Sequence, residues 1–170
     1  MSQKLIGPSV PSEPKYELIK KSWGARLLRR GYKYRLTEPY ELVLYNTPLY
    51  HGTWHQNKLT KACIEISRVF DGPGFAHDIA RPFRLRIEKG YCWDGVSGPT
   101  IDTPRNIPGS LPHDALYELS RAGLLEPGFR KWADQVARAV WERDEFRTPG
   151  LYYWVLRVFG GFAARRKKKK

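Results

Sequence analysis

Alternating polar and apolar side chains dominate the first half of the chain. Tyr32, Tyr34 and Leu36 alternate with Lys33 and Arg35, and residues 40–45 are dense in aromatic and branched side chains. Both stretches predict strands, because such side chains fit a pleated, half-buried surface. Pro39 and Asn46-Thr47-Pro48 punctuate them as turns. Residues 63–70 predict a further strand, closed by Asp71-Gly72-Pro73-Gly74. Phe83, Leu85 and Ile87 alternate with Arg84, Arg86 and Glu88, the clearest period-two signal in the sequence.

The period then changes. Residues 90–108 carry three clusters of glycine or proline and no periodicity, which predicts a long loop of the functional kind. Ser110 is placed to cap a helix over 111–124 with Pro112 at its second position. Glu126-Pro127-Gly128 breaks it. A second helix is predicted over 129–141, with Trp132, Val136, Ala139 and Val140 at helical spacing. Thr148-Pro149-Gly150 ends that helix, and 151–164 form an apolar segment interrupted by Arg157 and Gly160-Gly161. If that segment stays helical, Leu151, Trp154, Val155, Val158, Phe159 and Phe162 share one face. The fold class predicted is α+β: antiparallel strands first, then a helical hairpin and a terminal amphipathic helix.

Charge divides the chain further. The net charge is +13, of which residues 165–170 supply six; residues 1–35 hold nine Lys or Arg against Glu13 and Glu17, and the rest balances. This predicts a flexible basic arm over 1–22, a single α+β domain over 23–164 and a polybasic tail over 165–170. Basic ends attract phosphate, on nucleic acid or on an anionic bilayer. No apolar run reaches the roughly 18 residues of a membrane span, and the first fifteen residues hold no signal-peptide core. Two cysteines, Cys63 and Cys92, exclude a four-cysteine zinc site and a disulfide scaffold.

Reactive side chains concentrate in the first two predicted helices. His113 and Tyr117 lie four apart and so share a helix face, and an antiparallel partner helix can bring Asp134 opposite His113. A carboxylate that holds one imidazole nitrogen leaves the other as a general base, which would make His113 and Asp134 a catalytic dyad supported by Tyr117. The preceding loop, Tyr91-Cys92-Trp93-Asp94-Gly95-Val96-Ser97-Gly98-Pro99, has two glycines three apart that permit tight turns. Its carbonyls at Gly95 and Gly98, with the carboxylates of Asp94 and Asp114, would supply part of a Ca²⁺ shell. The plainer reading keeps Asp114 as a first-turn residue favoured by the helix dipole, His113 as a packed side chain and Trp93 as a core anchor. His77-Asp78 and the pair His51 and His55 are weaker metal candidates.

The His-Asp-x-x-Tyr helix, the glycine loop before it and the aspartate on the next helix resemble secreted phospholipase A2. The 21-residue interval from His113 to Asp134 is similar to the disulfide-free phospholipase domain of parvovirus capsid proteins. The resemblance implies that His113 activates water, Asp134 orients it, and Asp114 and the Gly95 loop bind Ca²⁺. The loop echoes the family's tyrosine-x-glycine-x-glycine pattern only loosely, and the β-rich first half has no counterpart there. Over residues 80–162 the order strand, Trp-Asp-Gly-Val-Ser-Gly-Pro, His-Asp-x-Leu-Tyr, Ala-Asp and Leu-Arg-Val-Phe-Gly is similar to a bacteriophage and prophage family, a domain of unknown function. That likeness implies a phage product in the host bacterial cytoplasm or the virion, or peripheral at the membrane. Three readings stay open: a calcium-dependent phospholipase A2-like hydrolase; a noncatalytic phage structural or accessory protein with phage-protein partners; and a nucleic-acid binder acting through its basic ends.

Overall fold

The computed structural model describes residues 5–19, 32–45, 58–61, 63–68, 82–96, 101–125 and 129–163. Among these residues eight strands precede three helices: β1 (Ile6–Val10), β2 (Tyr16–Leu18), β3 (Tyr34–Leu36), β4 (Tyr40–Leu44), β5 (Lys58–Lys61), β6 (Ile64–Arg68), β7 (Phe83–Ile87), β8 (Cys92–Trp93), α1 (Ile107–Arg121), α2 (Phe129–Arg143) and α3 (Pro149–Ala163). The fold is α+β, with antiparallel sheets in the N-terminal part and helices after them.

The larger sheet has the order β1-β4-β7-β6-β5, and β2-β3-β8 form a second sheet. Period-two patterning fixes the register of the first. Leu42 lies opposite Leu85, which lies opposite Ile66, and Tyr40, Ile87 and Ile64 form the neighbouring rung. All six are buried. A one-residue slip would turn this whole set to solvent. On the opposite face Glu41, Arg86 and Glu65 are in register, and Arg86 bridges Glu41 and Glu88. The apolar rungs share one core with Leu111, Leu116 and Leu119 of α1 and Trp132, Val136 and Val140 of α2.

Several expectations need correction. Residues 6–10 and 16–18, read as part of a flexible arm over 1–22, are strands: β1 pairs with β4 and β2 with β3. Their alternation is short and broken by Pro8, Pro11 and Pro14, which leaves little periodic signal. The 90–108 loop contains β8, and α1 starts at Ile107, so Pro108 rather than Pro112 lies at its start. Ser110 is not a cap. It is buried within α1, donating to the Ile107 carbonyl at 2.7 Å and accepting from Trp93 Nε1 at 3.0 Å. With α1 starting seven residues earlier, Asp114 is not a first-turn residue and the dipole account of it fails. Pro149 opens α3 rather than ending α2, and α3 runs on through Gly160-Gly161. The turns at 46–48 and 71–74, Gly98, His51, His55, His77 and the 165–170 tail lie outside the described residues.

Candidate functional site

Antiparallel packing of α1 on α2 brings His113 to Asp134. His113 Nε2 lies 3.1 Å from Asp134 Oδ1, and Tyr117, one turn along α1, donates its hydroxyl to the same oxygen at 2.6 Å. The imidazole and the Tyr117 ring pack with centroids 4.2 Å apart. The predicted juxtaposition of His113, Tyr117 and Asp134 is therefore present.

The second ring nitrogen is engaged as well. His113 Nδ1 lies 3.1 Å from Asp114 Oδ1, so each ring nitrogen faces a carboxylate. Two carboxylates can accept only if both nitrogens carry protons, which describes an imidazolium. Burial by itself would lower the His113 pKa, but the hydrogen bonds and negative charge of Asp114 and Asp134 outweigh it and hold the pKa above its ordinary value. The converse holds for Asp134: burial pushes its pKa up, and the His113, Tyr117 and Arg157 bonds bring it below the ordinary value. His113 is 2% exposed and Asp134 0%.

Two arginines complete the cluster, and neither was among the predicted site residues. Arg157 of α3 donates to Asp134 Oδ2 at 2.8 Å. Arg130 donates to the Tyr117 hydroxyl at 3.1 Å and to the carbonyls of Leu156 and Arg157. Each had a sequence signal. Arg130 precedes Asp134 by one helical turn, the spacing of a helix ion pair. Arg157 is the one charged residue within the apolar 151–164 segment. Asp134 thus ties α1, α2 and α3 together.

The glycine loop is anchored by an aspartate that follows it. Gly95 has φ of +83°, and a Cβ there would strike the Asp102 carboxylate, so glycine is needed for this close approach. Asp102 accepts from Val96 N at 3.0 Å, Lys33 Nζ at 2.8 Å and Tyr34 Oη at 3.1 Å. Gly95 therefore serves a loop anchor built on Asp102, which the sequence reading missed. Asp94 is exposed. It lines a cavity of about 120 Å³ whose walls include Tyr91–Asp94 on one side and Asp114, Tyr117 and Glu118 on the other. The loop and Asp114 do meet, but the space suits a few waters rather than an acyl chain.

Hard oxygen donors suit Ca²⁺ chemically. Among the described residues, however, no three His, Cys, Asp or Glu side chains gather to hold a metal. Asp114 is turned onto His113, and Gly95 faces Asp102. Of the predicted shell, Asp94 and Asp114 border the same cavity. No family model matches the chain, and neither a curated protein nor a solved structure does.

Proposed function

We propose that this chain is a noncatalytic structural or accessory protein of bacteriophage type, in which the His-Asp motif is a charge-balanced tie between three helices. The observation that carries this reading is the pairing of both His113 nitrogens with carboxylates in a buried setting. A general base needs an unprotonated nitrogen within reach of its proton donor, and here each nitrogen is engaged by an aspartate. The phage assignment rests on the sequence resemblance over 80–162.

A second reading, the phospholipase A2-like hydrolase, draws support from one feature. Tyr117 and His113 converge on the same Asp134 oxygen, and Asp114 borders a cavity shared with the 91–94 loop. In that chemistry Asp114 turns off Nδ1 and the imidazolium gives up its Nδ1 proton to solvent water. Nδ1 then takes a proton from the water that attacks the ester carbonyl and returns it to the leaving alkoxide as the acyl–oxygen bond breaks, while Asp134 keeps the Nε2 proton in place.

Fatty-acid release from mixed phospholipid vesicles, with Ca²⁺ and with EGTA, separates the two when run beside urea unfolding of the native chain and His113→Gln. The structural reading expects no release and a loss of about 1–3 kcal/mol in the variant, because buried Asp134 and half-buried Asp114 lose a charged donor. This reverses the expectation, natural for an accessible catalytic histidine, that His113→Gln spares stability. Release by the native protein that disappears in a still-folded variant would overturn the structural reading, and its suppression by EGTA would bring in the cation.

A further inference from the structure

Helix α3 divides its apolar residues between two faces. Leu156 is buried and clusters with Val96, Ala137 and Trp141, with Tyr152 packed beside them. Leu151, Trp154 and Val158 lie on the other side of the helix and are 58%, 61% and 46% exposed. Their spacing of three and four residues places them in one stripe. The face is therefore narrower than the sequence pattern implied: Val155 is half-buried, and the side chains of Phe159 and Phe162 lie outside the described residues.

Charge indicates what this stripe meets. From Phe146 to Lys170 the sequence holds eight Lys or Arg and no Asp or Glu. Arg157 is spent on Asp134, while exposed Arg147 stands just before α3 and six basic residues follow it at 165–170. An apolar stripe bracketed by cations is the pattern of a helix lying in a bilayer interface. Trp154 at its centre suits the headgroup level, where an indole keeps its apolar body in the acyl region and its N–H in the wet zone. A second copy of the chain would bring the same cations against themselves. At 15 residues α3 is about 22 Å long, and no helix among the described residues is long and apolar enough to cross a membrane.

We infer that α3 is an interfacial anchor for an anionic bilayer: Leu151, Trp154 and Val158 enter the headgroup–acyl boundary, and Arg147 with residues 165–170 holds the anionic headgroups. This adds a partner that the structural reading of the His-Asp cluster does not name. Arg157 of the same helix holds Asp134, so the membrane-facing element is tied to the buried cluster.

Cosedimentation of the full chain with phosphatidylglycerol-containing vesicles and with pure phosphatidylcholine vesicles at low salt tests it. Three proteins are compared: the native chain, Leu151→Ser with Trp154→Ser, and a chain ending at Ala164. The two serine substitutions touch exposed positions, and urea unfolding checks that the double variant stays folded. The inference expects binding to anionic vesicles only, weakened about tenfold or more by either change and reduced by salt. No binding by the native chain overturns it. So does binding that the serine variant keeps in full, since the tail alone would then act. Sedimentation velocity showing a dimer that the serine substitutions dissolve would assign the stripe to a second copy. Release from vesicles by duplex DNA at equal phosphate would assign the charges to nucleic acid. Because partition is read directly, the result does not depend on whether the chain hydrolyses anything.

Discussion

Tyr117 Oη and Asp134 Oδ1 are 2.6 Å apart, and the Tyr117 hydroxyl that donates this bond accepts another from Arg130 Nε at 3.1 Å. One phenol thus relays between a buried anion and a cation at the edge of the cluster. Hydrogen bonds to charged groups contribute about 1.5–3 kcal/mol, so Tyr117→Phe is expected to lower stability by that amount. The check is a shift in urea midpoint with unchanged slope. A shift worth less than about 0.5 kcal/mol would mean that His113 and the arginines satisfy Asp134 without the phenol.

Removing the anion itself has a larger effect. Asp134 is fully buried and faces His113 and Arg157. Asp134→Ala leaves the imidazolium without one of its counter-charges, and breaking a buried pair in this way costs about 3–5 kcal/mol. Arg157 is about a third exposed, so water compensates its loss better and Arg157→Met is expected to cost less. A double-mutant cycle between the two positions measures their coupling. A coupling near zero would remove Arg157 from the tie.

The proton on His113 gives the cluster a pH signature. Its folded pKa is above 6.5, so its contribution is complete below 6.5 and is lost as pH rises through the folded value. The folded pKa of Asp134 is below 3.8, so its contribution is complete above 3.8 and is lost as pH falls through the folded value. Both are present between 3.8 and 6.5. The stability gap between the native chain and His113→Gln is therefore widest in that window and narrows as the solution is made alkaline. Urea unfolding across a pH series measures it. A gap that widens above 6.5 would show that neutral histidine is the form the fold prefers. Under the hydrolase reading, turnover rises over the same alkaline limb.

The parts of this molecule that were legible in the sequence are those that repeat. Leu85 announces its strand because it sits in an alternating run that buries one face, and Leu42 because its neighbours are dense in aromatic and branched side chains. His113, Tyr117 and Asp134 were legible as a set because helical spacing fixes which side chains share a face. Short elements do not repeat long enough to register: β8 has two residues and β2 three. The second carboxylate on His113 was hidden for a different reason. Asp114 is the adjacent residue, which helical geometry points about a quarter turn away, and only its rotamer brings Oδ1 to Nδ1. Burial was equally invisible, because the same His-Asp pattern serves an open cleft or a sealed core. The role of Asp102 depends on Lys33, Tyr34 and Val96, which converge from distant parts of the chain.

Gly109 sets the distance between the two helices that carry the cluster. It lies one turn before His113 on α1, and a Cβ there would fall on the indole of Trp141 from α2. Trp141 is fully buried and donates to the Asn106 carbonyl at 2.7 Å, so it has little freedom to give way. Gly109→Ala is therefore expected to push α1 and α2 apart despite alanine's higher helix propensity, at an overpacking cost of about 1–3 kcal/mol. Separation lengthens the contact between His113 and Asp134, and with weaker carboxylate support the His113 pKa falls toward its ordinary value. Titration of the imidazole signals by NMR reads that fall directly. Gly150→Ala is the control: nothing lies within 4 Å of its Cβ position, so alanine there is expected to leave stability unchanged or slightly raised. If Gly109→Ala matched this control in both stability and His113 pKa, the close approach of Trp141 would not be what holds the His113–Asp134 distance.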